Sequence, residues 1–474
     1  MVRAHFLNNQ LNYILLLCCL VTRIFTSIHY IEDIDSLRFA YSVIDEYDIL
    51  KLQPHFPGYP IFCLLANILY EIIGNLGIVF SIIGGLSTFF IIYFTLKILK
   101  IHFSSKMGII VVLLLFFNPM IWLMGNRYMP DLMGLAIFIA SFYMLLKVDA
   151  KSNFLGIFLF GILLGTRLSY FPLLLFPIIL LLKRNNRWLL LSLSGLLGVF
   201  IWLLPLVQMM GFENLYLAAL RQTSGHFLDY GGTIITENNW IIRFKYLLNT
   251  TWSDGLGGYW ANRSYITLFI SIILLLLIIS TFKNFKYIIN KNSNIKYLII
   301  STLLYLIWVL LFQNIIYKSR HVMPLVFTFV IILSASAKFL FQNQYIFQRL
   351  ILSGLILLLA LLTINLSIQH KNPTAIKKLS NFLKQKNDNK IIVSIPLINY
   401  YLKSQNIKGE FIDVEINSEK KILNIINKEQ PIFIIGNFVD KVNGYDAISD
   451  TSFYHNPYVN RMWSSINLFS NQKL

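Results

Sequence analysis

The sequence predicts an all-α polytopic membrane domain followed by a small α/β soluble domain. Of its 474 residues 56% are hydrophobic and only 13% are charged, which excludes an ordinary soluble protein. Apolar runs long enough to cross about 30 Å of hydrocarbon recur through residues 1–369. From residue 370 onward the chain becomes rich in Lys and Asn, and strand patterns alternate with helix patterns. These changes place the domain boundary between 1–369 and 370–474.

The net charge of +18 raises the question of nucleic-acid binding. The basic residues, however, fall in short loops between apolar runs and in the C-terminal domain, with no basic stripe that carries stacking aromatics. We interpret them as topology determinants plus a basic soluble domain. The three cysteines lie in apolar segments and indicate no disulfide framework.

The apolar runs predict eleven membrane spans. The first is not followed by a small-residue cleavage site, so we expect an uncleaved span rather than a signal peptide. The predicted spans are 11–28, 76–96, 107–124, 131–147, 154–168, 170–182, 188–209, 264–282, 297–313, 322–337 and 350–369.

One further apolar run, Gly58–Gly74, is predicted to lie along the membrane interface instead of crossing it. If it crossed, the Lys97–Lys106 loop and every later basic loop would change sides. An interfacial helix keeps the basic loops together on the inner side, as the positive-inside rule favours. The N-terminus is then cytoplasmic and the domain 370–474 lies outside.

Acidic residues are concentrated in His29–Tyr59, which has apolar segments on both sides. This stretch contains six of the 22 carboxylates of the chain, namely Glu32, Asp33, Asp35, Asp45, Glu46 and Asp48. A chain this hydrophobic is expected to expose such a group to water, so the stretch is the candidate active site, within a first outer loop at 29–75. Asp33 and Asp35 lie where the loop leaves the bilayer, and either could act as a general base.

The outer side also carries cations suited to bind a phosphate, because the planar guanidinium forms bidentate hydrogen bonds. The candidates are Arg127, Arg320, Arg38 and Arg243, the last in a second long outer loop at 211–263. Arg127 could instead pair with Asp131, and Arg167 could be a structural ion-pair partner or a substrate ligand. No His, Asp or Glu cluster has metal-ligand spacing, so we expect no metal site.

The C-terminal domain is predicted to contain a small parallel sheet, because its strands alternate with helices. Helices are expected at Thr374–Lys386, Leu397–Ser404 and Ser418–Lys428, and strands at Lys390–Ile395, Glu410–Ile416 and Pro431–Ile435. The domain contains no glycine-rich phosphate-binding fingerprint.

Four segments in order resemble the GT-C membrane glycosyltransferases, in particular the bacterial family 39-like enzymes related to protein O-mannosyltransferases and aminoarabinose transferases. These are Asp35–Tyr41 (DSLRFAY), Gln53–Pro60 (QPHFPGYP), Arg127–Asp131 (RYMPD) and Lys318–Pro324 (KSRHVMP). The predicted topology also matches that family, and the resemblance covers about residues 10–340. Ile34 separates the two aspartates where many relatives have adjacent acids, and Phe56 replaces a second proline.

The resemblance implies transfer of a sugar from a polyprenyl-phosphate-linked donor to a glycan, lipid or protein acceptor on the extracytoplasmic face, with inversion. It assigns the base to Asp35 or Asp33 and lipid-phosphate binding to Arg320, and we expect Arg127 or Arg243 to help bind the phosphate. Further substrate contacts are expected from Arg38, His55, Arg167 and His321. No cofactor is required, although some GT-C enzymes use a divalent metal.

The resemblance also implies a bacterial cytoplasmic membrane as the location. The alternative is a lipid-linked sugar flippase or another multi-pass transporter. That class more often shows repeated halves and ionisable groups at the bilayer midplane. A third reading is a membrane scaffold that presents the C-terminal domain.

Overall fold

The chain divides into two compact units that are not contiguous in sequence. The computed structural model describes residues 2–184, 186–342, 346–386, 389–414, 430–439, 442 and 447–473. The membrane unit contains Met1–Ile28 and Tyr41–Ile368, and the tail unit contains His29–Ala40 and Gln369–Leu474. The short segment 29–40 therefore clusters with residues more than three hundred positions further along the chain.

The membrane unit is helical. Its helices, including α2, which begins in the tail unit, and α16, which ends there, are α1 (Val2–Phe25), α2 (Ile34–Ile44), α3 (Pro60–Ile73), α4 (Leu76–Leu99), α5 (Lys106–Phe116), α6 (Pro119–Met124), α7 (Asp131–Leu145), α8 (Ala150–Arg167), α9 (Pro172–Arg184), α10 (Trp188–Met210), α11 (Phe212–Ser224), α12 (Trp240–Asn249), α13 (Ile266–Lys291), α14 (Ser293–Phe312), α15 (Met323–Gln342) and α16 (Ile346–His370).

Seven helical segments among the described residues are long and apolar enough to cross a membrane, so the chain is a multi-pass membrane protein. They are Leu76–Leu99, Ala150–Tyr170, Trp188–Met210, Ile266–Lys291, Ser293–Phe312, Ser319–Ala337 and Arg349–Lys384. Helix α3 has 14 residues, which corresponds to a length of about 21 Å, less than the hydrocarbon thickness. Its assignment to the interface remains a prediction.

One predicted span, 107–124, consists of two helices, α5 and α6. Helix α5 ends at Phe116, and Asn118 has extended backbone angles, as expected for a residue that precedes a proline. The Asn118 side chain then accepts a hydrogen bond from the Ile121 N–H at 3.0 Å and caps α6, which begins at Pro119. The Asn-Pro pair therefore interrupts a continuous apolar run.

Close helix packing in the membrane unit depends on glycines at the contacts. Helix α8 packs against both α7 and α10. A Cβ on Gly198 of α10 would lie 2.3 Å from the Phe158 carbonyl oxygen of α8, so no larger residue fits there without displacing the helices. Small residues let backbones approach closely, which is how helices associate where lipid supplies no hydrophobic driving force.

Among the described residues of 369–474, the tail unit contains a five-stranded mixed sheet and two complete helices. Its elements are α17 (Ala375–Lys384), β1 (Ile391–Ser394), α18 (Pro396–Ser404), β2 (Glu410–Asp413), β3 (Ile432–Ile435), β4 (Ser449–Tyr454) and β5 (Ser465–Ser470). The strand order is β2-β1-β3-β5-β4. Strands β2, β1 and β3 are parallel, whereas β5 is antiparallel to both β3 and β4.

The three predicted strands are therefore parallel, as expected, and the two antiparallel strands β4 and β5 were not predicted. Strand β4 has the sequence SDTSFY, and its polar residues resemble those of a loop. In the structure its residues alternate between half-buried and exposed. The three predicted strands are present as shorter segments. Strands β1 and β3 are buried along their whole length. The predicted helix Ser418–Lys428 lies outside the described residues.

Candidate active site

A buried cluster of charged side chains lies in the membrane unit around Asp131. One Asp131 carboxylate oxygen is 2.9 Å from Nη2 of Arg167, and the other is 3.7 Å from Nε of Arg320. Nη2 of Arg167 is also 3.3 Å from Nδ1 of His321. A guanidinium only donates, so Nδ1 accepts and the imidazole proton is on Nε2. Asp131, Arg167 and Arg320 together carry one net positive charge.

Each member of the cluster comes from the end of a helix. Asp131 begins α7, Arg167 ends α8, and Arg320 and His321 lie in a 3₁₀ turn, Ser319–Val322, directly before α15. Gly134, one turn after Asp131, permits the approach of the two helices, because a Cβ there would lie 2.6 Å from the Arg167 Cβ. The glycine thus allows the ion pair between α7 and α8.

The proline-rich segment Gln53–Pro60 directs an aromatic side chain toward this cluster. Gly58 and Tyr59 both have left-handed backbone angles, with φ of 83° and 46°. A side chain on Gly58 would collide with Tyr47, whose Oη is 2.4 Å from the position of a Cβ. The hydroxyl of Tyr59 accepts a hydrogen bond from Nη1 of Arg167 at 3.3 Å and lies 3.1 Å from Nε2 of His55.

Two further tyrosines form a wall of the cluster. Tyr170 and Tyr305 are fully buried and meet edge to face at 5.5 Å, and the Arg167 guanidinium lies 5.7 Å from the Tyr170 ring. The Tyr305 hydroxyl donates to the His321 carbonyl at 3.0 Å. Within the part of the chain that the structure describes, the Tyr170 hydroxyl and Nε of Arg167 have no hydrogen-bond partner. Buried donors of this kind are rare and require an explanation.

Arg243, a predicted phosphate ligand, is engaged elsewhere. It is fully buried, and its guanidinium donates to the carbonyls of Gly232, Leu310 and Gln313 at 2.6–3.1 Å. Nε2 of His226 donates to the Phe312 carbonyl at 2.8 Å. Burial lowers the pKa of His226. Both side chains therefore cap the C-terminal end of α14, where carbonyls lack partners within the helix.

The remaining predicted cation of the membrane unit, Arg127, is buried in the segment between α6 and α7. Its backbone carbonyl accepts from the Met129 N–H at 2.8 Å, which shapes the turn that leads to Asp131. Among the predicted site residues of this unit, the structure thus brings Arg167, Arg320 and His321 together, with His55 joined through Tyr59.

The acidic residues of 29–40 belong to the tail unit and differ in their surroundings. Asp33 uses both carboxylate oxygens: one accepts from the Ser36 N–H at 2.8 Å and caps α2, and the other accepts from Nδ2 of Asn460 at 2.9 Å. Asp35, in the first turn of α2, is 3.5 Å from Nη1 of Arg38 and is 1% exposed. Farther along the chain, Asp45 and Glu46 are exposed.

Sequence reasoning missed the central position of Asp131, Tyr59 and Tyr170. The sequence suggests Asp131 only as a partner of Arg127, whereas its carboxylate pairs with Arg167 and Arg320. A signal was present, because Tyr59 lies in the segment Gln53–Pro60 and Asp131 in the segment Arg127–Asp131, both of which resemble the GT-C enzymes. Tyr170 follows Arg167 by three residues in an apolar run, and no local pattern distinguishes it from a core residue.

Comparison with known proteins identifies the fold. No protein-family model and no curated protein matches the sequence. The structure is similar to that of ArnT from Cupriavidus metallidurans in the apo state, with a TM-score of 0.50 and 11% identity over 97% of each chain. For ArnT bound to undecaprenyl phosphate the TM-score is 0.49 and the identity 10%, over 98% of this chain and 97% of that chain. The first likeness confirms the predicted GT-C-type fold.

Proposed function

We propose that this chain is an integral-membrane glycosyltransferase that transfers a sugar from a polyprenyl-phosphate-linked donor to an acceptor on the extracytoplasmic face, with inversion. The fold shared with ArnT supports the class of architecture but not the activity. The observation that carries the proposal is the pair of buried donors, Nε of Arg167 and the Tyr170 hydroxyl, that lack acceptors among the described residues.

An anionic ligand would supply the missing acceptors. The cluster combines two guanidiniums with one shared carboxylate, so its net positive charge favours an anion. A phosphate has several acceptor oxygens and fits donors that approach from different helix ends. Arg167 and Arg320 are therefore the proposed phosphate ligands, with Tyr170 as a third donor. Arg243 is left out because its N–H groups are used by backbone carbonyls.

Asp35 is the proposed general base. Both carboxylate oxygens of Asp33 accept hydrogen bonds within the protein, one as the cap of α2 and one from the Asn460 amide, which gives Asp33 a structural role. Asp35 instead lies one residue inside α2, next to Arg38. In the proposed reaction Asp35 removes the proton of the acceptor hydroxyl or amine as that atom bonds to the anomeric carbon. The bond from the anomeric carbon to the phosphate oxygen breaks, and the polyprenyl phosphate leaves with the electron pair of that bond.

Transfer of a radiolabelled sugar from polyprenyl phosphate in proteoliposomes tests this proposal. Asp35→Asn is expected to reduce the transfer rate by about a hundredfold or more, since general-base catalysis contributes factors of that order. Asp45→Asn is the matched control, because Asp45 is an exposed acid of the same stretch. Full activity in the Asp35→Asn variant would contradict the assignment of the base, and full activity in both Asp33→Asn and Asp35→Asn variants would contradict the mechanism.

A further inference from the structure

The acidic segment 29–40 and the C-terminal residues form one compact unit. We infer that the C-terminal domain acts as a positioning element for this segment, with Asn460 and His370 as positioning residues that set the placement of α2 and hence of Asp35. This inference rests on the proposed function for its catalytic consequence. The positioning role itself is argued only from hydrogen bonds within the tail unit and does not depend on any activity.

The first contact is a buried pair at the start of the segment. Nε2 of His370, at the end of α16, is 2.9 Å from Oε2 of Glu32, and the two side chains are 1% and 0% exposed. The other Glu32 oxygen lies 3.3 Å from the Ser36 hydroxyl in α2, and the Glu32 carbonyl accepts from the Thr374 hydroxyl at 2.9 Å. Glu32 therefore links α2 to the chain that enters the C-terminal domain.

The second contact fixes Asp33 through Asn460. Nδ2 of Asn460 donates to Oδ2 of Asp33 at 2.9 Å, and Oδ1 of the same amide accepts from the Met462 N–H at 2.9 Å. The Met462 bond sets the orientation of the amide, because only a carbonyl oxygen accepts there. Asn460 is itself held, since its backbone carbonyl accepts from Nε2 of His455 at 2.8 Å.

His455 connects this chain of hydrogen bonds to the first helix of the domain. The Ala375 N–H, in the first turn of α17, donates to Nδ1 of His455 at 2.9 Å. Nδ1 is thus an acceptor, and the proton on Nε2 is available for the Asn460 carbonyl. The result is a continuous buried path from α17 through His455 and Asn460 to the cap of α2.

Two tyrosines hold the backbone of the segment in addition. The Tyr401 hydroxyl, from α18, donates to the Ile31 carbonyl at 2.6 Å. The Tyr30 hydroxyl lies 2.8 Å from the carbonyls of His370 and Asn372. Side chains and backbone of residues 30–33 are consequently tied to the C-terminal domain at several points.

The position of these contacts explains why they bear on Asp35. Helix α2 has only 11 residues, and isolated helices of that length are marginal, so its start depends on the cap at Asp33. Asp35 follows the cap by two residues. Loss of the cap geometry would therefore displace the Asp35 carboxylate, and displacements of about 1 Å at a reacting group can reduce rates by about a hundredfold.

Asn460→Ala and the milder Asn460→Ser test the inference, with Asn399→Ala as the matched control. Asn399 is also a buried asparagine of the tail unit, 1% exposed, and its amide donates to Ser394, Ile412 and Asp413 rather than to segment 29–40. Full-length protein in lipid nanodiscs would be compared by hydrogen exchange and by transfer kinetics.

We expect faster amide exchange in residues 29–40 of both Asn460 variants and no change there in Asn399→Ala. The transfer kcat should fall about ten- to a hundredfold in Asn460→Ala, with KM for the lipid donor within about twofold of wild type. Unchanged exchange in the Asn460 variants, or an equal change in Asn399→Ala, would overturn the inference. If exchange behaves as expected while the wild-type protein transfers no sugar, the proposed function fails and the positioning role of the C-terminal domain stands.

Discussion

Two buried arginine regions of the membrane unit differ in structure, although the sequence suggests a ligand role for the arginines of both. Arg243 donates to backbone carbonyls at the C-terminal end of α14, where helix dipole and unpaired carbonyls attract a cation. Arg167 and Arg320 share the Asp131 carboxylate, and Nε of Arg167 lacks an acceptor among the described residues. All three arginines are buried and charged, so neither property separates a structural arginine from a candidate ligand. What separates them is whether the protein supplies acceptors for the N–H groups of the guanidinium.

The largest expected effect distinguishes the two regions by activity. Arg320→Gln should reduce sugar transfer by about a hundred- to a thousandfold, because one donor to the departing phosphate is lost. Arg243→Gln should lower the thermal stability and leave the rate per folded molecule close to that of wild type. Single-turnover transfer and thermal unfolding in detergent measure both quantities. Equal losses of activity in the two variants would contradict the assignment of Arg320 as a phosphate ligand and of Arg243 as a structural residue.

The next effect concerns the stability of the cluster. Asp131→Asn removes the carboxylate that two buried guanidiniums share, and loss of one partner of a buried ion pair costs about 3–5 kcal/mol. The double variant Asp131→Asn with Arg167→Met should be less destabilised than the sum of the two single variants, since the uncompensated charge is removed as well. Denaturant unfolding of the wild type, the two single variants and the double variant gives a double-mutant cycle. Additive losses in the free energy of unfolding would argue against the pairing of Asp131 with Arg167.

A smaller effect should follow from widening the contact between α7 and α8. Gly134→Ala places a Cβ 2.6 Å from the Arg167 Cβ, and overpacking of this kind costs about 1–3 kcal/mol. Gly354→Ala is the control, because a Cβ at Gly354 in α16 meets no atom within 4 Å. We expect lower thermal stability and weaker polyprenyl-phosphate binding in Gly134→Ala only. Similar behaviour of the two variants would show that the contact does not set the position of Arg167.

The smallest expected effect is a pH dependence at the α14 cap. Burial lowers the pKa of His226 in the folded protein, so the unfolded chain binds a proton at a higher pH than the native state does. Stability is therefore expected to fall as the pH drops below about 6.5, the ordinary histidine value. Thermal unfolding at a series of pH values should show this slope in wild type and a reduced slope in His226→Gln. An identical pH dependence of thermal unfolding in wild type and His226→Gln would contradict a lowered pKa of His226.

Local patterns determined the fold class and most of the helices. Apolar runs and the residues that end them are visible in sequence because burial in lipid needs about twenty apolar residues per span. The cap at Asp33 is a contact between residues three positions apart, although the sequence suggests Asp33 only as a candidate base. The polar strand β4 was missed because its pairing with β5, not its composition, makes it a strand.

Only the tertiary structure decided which charged residues meet. Asp131, Arg167 and Arg320 are separated by up to 189 positions and come together through the packing of helix ends, which leaves no spacing to read in the chain. The same holds for Asp33 and Asn460, which are 427 positions apart and belong to one unit. The sequence by itself therefore determined which segments are apolar and long enough to cross a membrane. The tertiary structure decided which of them are satisfied by the protein and which lack an acceptor in its described part, because hydrogen bonds depend on positions in space.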